Sequence, residues 1–304
     1  MIMKDIHDIK DDQIRIIGKK GNNPNNSKKW IKISILIGII LIIGIICIFH
    51  IEDKTEYSEN EVAYFEPYIE VDNINEETIS LIGEKTDSLT SGFVEIIDTL
   101  INDIKLRIYI PHNGEASLQL DKVNENDSTI IFSAQAADIR GDNGGIVGAF
   151  VLKGEPLAWG LSKKGFCAII DGNTTIGVAD NTHLFEQATE RGGYFFRQYP
   201  LVKNGVMVEN EPKGKSIRRG LCKRAGEILV IESTDKESFH DFAQALADLR
   251  IDNAVYLVGG GAYGWAIDKS GEKHIFGNKN YPNIRRKKPQ NVSHIVWRKK
   301  GNTK

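Results

Sequence analysis

From residue 216 to residue 265 the chain reads SIRRGLCKRAGEILVIESTDKESFHDFAQALADLRIDNAVYLVGGGAYGW, two apolar strands flanking one amphipathic helix. No other stretch restricts the fold as much. Residues 228–231 (ILVI) are an unbroken apolar run, the pattern of a strand buried on both faces. Thr234 and Glu237 have capping-box spacing, which predicts a helix start there. Phe239, Phe242, Leu246 and Leu249 then recur at three and four residues, with Ala243 and Ala247 on the same face, as in a helix packed on a core. Residues 254–258 (AVYLV) form a second strand that runs into Gly259, Gly260 and Gly261. Lacking Cβ atoms, these three allow either a tight turn or the approach of a ligand to bare backbone. No lysine follows them, so they are not a phosphate-cradling P-loop.

The N-terminal quarter is organised differently. Residues 1–29 are polar and aperiodic, the composition of a disordered tail. Residues 30–51 (WIKISILIGIILIIGIICIFHI) are almost wholly apolar and match the roughly 20 residues needed to cross a bilayer. Lys19, Lys20, Lys28 and Lys29 precede this span, while Glu52, Asp53, Glu56 and Glu59 follow it. The positive-inside rule therefore puts the tail in the cytoplasm and the bulk of the chain outside, in a bacterial periplasm or at a cell surface. No small-x-small site follows the apolar run, as expected of an uncleaved signal-anchor. Residues 52–75 are an acidic stalk, and 76–304 are the extracytoplasmic domain.

Within that domain, residues 76–103 place Ile79, Ile82, Leu89, Phe93, Ile96, Ile97, Leu100 and Ile101 at part-helical spacing, predicting one or two helices. Residues 106–110 (LRIYI) alternate like a strand that Pro111 and Gly114 end. Further strands are expected at 129–132, 146–152, 166–170, 174–178 and 201–208, with turns at Lys153-Gly154, Asp171-Gly172 and Asn204-Gly205, and a helix over 182–190. Many strands and few helices predict an α+β domain with a mixed, largely antiparallel sheet and flanking helices.

Composition excludes some functions. A net charge of −2 lacks the basic excess of a nucleic-acid binder, so no nucleic-acid partner is expected. No zinc-ligand spacing occurs, and neither a metal nor another cofactor is expected. Cys167 and Cys222 could pair in an oxidising compartment or stand as two buried thiols; a domain of this size needs no staple.

Five segments carry a family resemblance: FSAQAADI (132–139), IVGAFVLKGEPL (146–157), RQYPLVKNG (197–205), IRRGLC (217–222) and FHDFAQALADLRIDNAVYLVGGGA (239–262). In order and spacing they resemble the phosphodiester glycosidase family. The resemblance implies hydrolysis of a sugar-1-phosphodiester in an envelope or exopolysaccharide glycan, with a glycan or sugar phosphate as ligand. It also implies an arginine at Arg218 as the phosphate clamp. The chain departs from the family with Gln135 for an asparagine, Cys222 for a glycine, Val258 for the aspartate of an Asp-Gly-Gly turn, and Ala262 for a serine. A valine neither accepts a proton nor attacks carbon, so the alternative is an inactive relative that binds glycan or phosphate groups.

Cleaving a glycosyl phosphodiester needs a cation for the phosphate and a carboxylate or activated water for the sugar carbon. Arg218 is the clamp, with Arg219 and Arg197 as alternatives. Carboxylate candidates are Asp138, Asp142 and Asp171; Asp142 and Arg140 share a polar glycine-rich loop (ADIRGDNGG, 137–145) of the kind that carries sites. Gln135, Gln198 and Tyr263 could bond sugar hydroxyls, Tyr199 and Trp265 could stack on a sugar, and Gly259, Gly260 and Gly261 would bound the pocket. The charge asymmetry predicts that a reporter enzyme fused after Lys304 is active only outside the cytoplasm; activity inside would reverse the topology.

Overall fold

The computed structural model describes residues 90–279 and 292–300. The tail, the apolar span, the stalk and the expected helix before residue 90 lie outside the described residues. The strands are β1 (Phe93–Ile101), β2 (Ile104–His112), β3 (Gly114–Leu120), β4 (Ile130–Gln135), β5 (Ala149–Leu152), β6 (Glu155–Trp159), β7 (Gly165–Ile170) and β8 (Asn173–Val178). After helix α1 (Leu184–Glu190) come β9 (Tyr194–Gln198), β10 (Pro200–Lys203), β11 (Val206–Met207), β12 (Arg219–Arg224) and β13 (Glu227–Ser233). Helix α2 (Phe239–Asp248) is followed by β14 (Asn253–Leu257), β15 (Gly264–Ile267), β16 (Lys273–Phe276) and β17 (Ser293–Lys299).

These strands make three sheets, in the orders β1-β2-β13-β12-β14-β10-β11, β16-β15-β4-β17-β3 and β6-β5-β9-β7-β8. The domain is α+β, and every ladder among the described residues is antiparallel, so the expected mixture of strand directions is not seen there. The strand–helix–strand unit read from residues 228–258 is a split crossover. β13 and β14 run in the same direction with β12 inserted between them, antiparallel to both.

Side-chain alternation along the seven-stranded sheet builds two cores. Ile108, Cys222, Leu229, Ile231, Ala254 and Tyr256 face α2, packing on Phe242, Leu246 and Leu249. Their neighbours Tyr109, Leu221, Val230 and Val255 face the other way, onto Phe132, Ile295 and Trp297 of the second sheet and Phe150, Cys167 and Phe196 of the third. Cys167 and Cys222 therefore belong to opposite cores, and both are free, buried thiols whose titration burial pushes far upward. Helix α1 covers Val151, Ala168 and Phe195 on the outer face of the third sheet.

Two-residue turns with positive φ at both positions set the hairpins. They are Asn102-Asp103, Lys153-Gly154, Asp171-Gly172, Asn204-Gly205 and Ala225-Gly226. The first of these overturns the helical expectation for residues 93–101: the Asn102-Asp103 turn folds β1 back on β2 in full register. Pro111 does not end its strand but pairs with Val94 inside it. The helix start also differs. Thr234 lies in a bend bonded to Lys105 O and Glu237 in a bridge with Ser216, and the cap is Ser238, whose Oγ accepts from Asp241 N at 2.9 Å.

On β17, burial pushes the His294 imidazole from its ordinary 6.5 down to about 4, and its enclosed Nδ1 meets no partner among the described residues, although the residue as a whole is only half-buried. The unfolded ring takes up a proton first, so this group adds nothing above pH 6.5 and lowers stability as pH falls from there toward 4. Allowing for the partial exposure, the loss is roughly 2 kcal/mol at about pH 4.5. Chemical denaturation at pH 7 and pH 4.5 should therefore show a smaller acid loss for His294→Gln than for the unaltered protein.

Candidate functional site

The glycine turn is built by contact with the segment before β12. Val258 N donates to Gln135 O at 3.2 Å, and Gly260 N donates to Ile217 O at 2.8 Å. A Cβ on Gly259 would lie 2.3 Å from Ile217 O, and Gly260 has φ +60°. These two positions require glycine, one for the close approach and one for the left-handed backbone. Gly259 N is bonded to the Tyr256 hydroxyl at 3.1 Å. Two of the three glycine amides are thus satisfied internally, and the turn is a packed junction in which only the Gly261 N–H lacks a partner among the described residues.

The adjacent arginines diverge, because successive residues at a strand start point to opposite faces. Arg219 is fully buried and pairs across the ladder with Glu232; its Nε donates to Glu232 Oε2 at 2.6 Å and its Nη2 to the same oxygen. Its Nη1 donates to Val258 O at 2.8 Å, and its guanidinium lies 4.2 Å over Phe276. Burial and the Glu232 carboxylate hold the neighbouring Tyr109 phenol protonated well above its ordinary range. Arg219 is therefore neutralised and internally committed.

Arg218 faces α2. Its guanidinium lies 4.1 Å over Phe239, with Nε donating to Glu237 O at 2.9 Å and Nη2 to Gly214 O at 2.6 Å. Both acceptors are backbone carbonyls. Among the described residues no carboxylate touches this cation, and its Nη1 keeps free donors.

Phe239 is the middle of an aromatic stack of tilted rings, meeting Tyr199 edge-on at 5.4 Å and Tyr256 at an angle of 53° and 4.9 Å between ring centres. At the far end of the stack Lys163 Nζ sits 4.3 Å over the Tyr199 ring. The same ammonium donates to Asp138 and, at 2.8 Å, to Gln198 Oε1. Gln198 is fixed in turn by Ala136 O and Tyr199 N. Burial drives the Lys163 ammonium below its usual range, opposed by the Asp138 carboxylate. Burial, then the carboxylates of Asp138 and Glu211, push the Tyr199 phenol upward. The Lys163 side chain is 7% exposed and that of Asp138 is 32% exposed, so the carboxylate is the solvent-facing end of the cluster.

The structure thus brings Gln198, Tyr199, Arg218 and Gly259 together through the stack, and joins Gln135 and Arg219 to the turn by backbone contacts. It places other candidates elsewhere. Arg140 and Asp142 pair with each other on an exposed loop closed by the Ile139–Ile146 bridge, and Arg140 holds the Asp142 carboxyl down to about 2. Asp171 is a hairpin-turn residue paired with Arg191. Tyr263 bonds Glu125 at 3.0 Å, and Trp265 is buried beside it. Arg197 is a buried residue of β9. Lys163 was not visible in the sequence, where LSKKGF shows only two adjacent lysines; the second, Lys164, pairs with exposed Asp180. Among the described residues, Asp268, Glu272 and His274 are the group whose ligand atoms could close around a cation, lying within 4.8 Å of one another. Asp268 and His274 border a separate groove with Phe93 and Asp98.

No family model and no curated protein matches the chain. Among solved structures it is similar to the catalytic domain of zebrafish N-acetylglucosamine-1-phosphodiester α-N-acetylglucosaminidase, auto-inhibited by its pro-peptide. That similarity has 12% identity and a TM-score of 0.49, over 69% of this chain and 83% of the other. A hypothetical protein from Synechocystis is similar at 12% identity and a TM-score of 0.48, over 68% and 62% of the two chains. Scores at this level assign neither family nor activity to this chain.

The Arg219–Glu232 pair gives a direct test of the junction. Glu232→Ala leaves a buried guanidinium with a carbonyl alone, and chemical denaturation should show a loss of about 3–5 kcal/mol. Glu232→Ala with Arg219→Met should recover most of it.

Proposed function

We propose that this chain is a membrane-anchored, phosphodiester-glycosidase-like protein that binds a glycosyl phosphodiester outside the cytoplasm and hydrolyses it. One observation carries the reading: two cations, Lys163 over Tyr199 and Arg218 over Phe239, sit along one row of aromatic rings, with a partly exposed carboxylate beside Lys163. A phosphodiester is anionic on one side and a pyranose on the other. A guanidinium with free donors matches the phosphate oxygens. The segment resemblance supports the same substrate class.

Roles follow from position. Arg218 holds the phosphate. Asp138 serves the sugar carbon, either attacking it or taking a proton from the attacking water. The bond from the anomeric carbon to the phosphate oxygen breaks, the electron pair leaves with the phosphate, and water supplies the new hydroxyl. A phosphate is a good leaving group, so a second carboxylic acid is not demanded. Lys163 keeps Asp138 in place, and Gln198 keeps Lys163 in place.

A second reading is favoured by Val258, an apolar side chain at the strand end where the resemblance implies an aspartate. In that reading the cluster binds the ligand without turning it over. Incubating the protein with a panel of sugar-1-phosphodiesters, while following free sugar and binding heat, separates the two. The expected result is turnover that Asp138→Asn lowers by roughly 10²-fold or more while affinity stays within a few-fold. Arg218→Ala should instead weaken binding. Binding without turnover by the unaltered protein selects the second reading, and the absence of both discards the site.

A further inference from the structure

On the outer side of the third sheet lies a groove of about 540 Å³. One wall is apolar. β6 is an edge strand whose residues alternate, with Glu155, Leu157 and Trp159 exposed and Pro156 and Ala158 half-buried. Trp159 is 66% exposed, and Leu161, just beyond the strand, is 65% exposed. Charge and proline on an edge strand discourage pairing through its backbone, and β6 carries both in Glu155 and Pro156. A large exposed indole over a concavity marks a binding surface instead. The other wall is polar. Asn181, His183 and Glu186 project from the start of α1, and their side chains make no hydrogen bond or ion pair among the described residues.

The floor adds an independent observation. Arg197 lines the groove at 2% exposure. Its Nη1 donates to Lys163 O and Ala179 O, each at 3.0 Å, and its Nη2 to Asp180 O at 2.8 Å; its Nε is buried without a partner among the described residues. The nearest opposing carboxylate, Asp180, is itself paired with Lys164. A buried polar side chain left incompletely satisfied is uncommon and calls for a reason. The same residue holds the backbone of Lys163, whose ammonium holds Asp138. The groove and the cluster described above are therefore connected through one side chain.

We propose that this groove is a pyranose-binding subsite. A sugar ring has an apolar face for the Trp159 indole and a rim of hydroxyls for Asn181, His183 and Glu186. A groove with one apolar and one polar wall fits that amphipathic shape better than it fits a wholly apolar or wholly anionic ligand. The inference concerns recognition of a glycan and does not require that Asp138 cleave anything, so it stands or falls apart from the hydrolysis reading.

Intrinsic fluorescence and saturation-transfer NMR titrations of the full-length protein with chitohexaose, cellohexaose and maltohexaose test it. At least one should bind and quench tryptophan emission. Trp159→Ala should weaken that binding tenfold or more, Trp159→Phe should retain most of it, and Val206→Ala, an exposed change outside the groove, should leave it unchanged. His183→Ala serves as a second variant on the polar wall and should weaken binding several-fold. The proposal is overturned if none of the three glycans binds at millimolar concentration, or if Trp159→Ala binds as well as the unaltered protein. It is equally overturned if the Trp159→Ala change converts a dimer into a monomer, which would make the exposed face a contact between copies of the chain.

Discussion

A single buried charge holds the centre of this domain together. Arg219 opens β12 with no solvent contact, and its guanidinium reaches Glu232 on β13, the Val258 carbonyl after β14 and the ring of Phe276 on β16. One side chain thus ties three strands of the central sheet to a strand of the second sheet. A buried pair of this kind adds little net stability over apolar residues, but either charge left alone is expensive. The pair therefore acts mainly as a demand on geometry. β12 must start where Glu232 and the end of β14 converge, and the glycine turn is pressed against Ile217 as a result.

Strand alternation then separates two neighbouring residues into different tasks. Arg219 serves the junction. Arg218, one residue earlier, emerges on the α2 face over Phe239, where its contacts are carbonyls and a ring. The carbonyl dipoles orient the cation without neutralising it, which leaves charge for an anion. Lys163, over Tyr199, is different: Asp138 neutralises it, while burial disfavours its charged form. The two cation positions along the stack are therefore unequal, with Arg218 unneutralised over the central Phe239 and Lys163 paired with a carboxylate over Tyr199. That asymmetry suits a ligand that is itself charged at one end only.

Much of the fold was legible because its signals are local. Asp171-Gly172 and Asn204-Gly205 announce two-residue turns, and the stripe Phe239–Phe242–Leu246–Leu249 announces a helix. Residues 93–101 misled because Ile96, Ile97, Leu100 and Ile101 fit helical spacing, while the deciding signal, an Asn-Asp turn without glycine, is weak in isolation. β12 was hidden for another reason. Its residues RGLCKR look like surface, and only the pairing of Arg219 with Glu232 makes them interior. In the candidate site, Arg218 and the glycines were legible from the resemblance and from glycine chemistry. Lys163 was not, since its partners Asp138 and Gln198 lie 25 and 35 residues away.

By itself the sequence determined the apolar stretch near the N-terminus, the α+β class, the hairpins with glycine turns and the helix on the central sheet. Each rests on periodicity or on backbone preferences within a few residues. Only the tertiary structure decided the order of strands, the insertion of β12 between β13 and β14, and the opposite assignments of Arg218 and Arg219. It alone assembled Lys163, Asp138, Tyr199 and Phe239 into one cluster. Those outcomes depend on which distant segments neutralise and desolvate one another, and that is a property of the packed chain that no short window of residues contains.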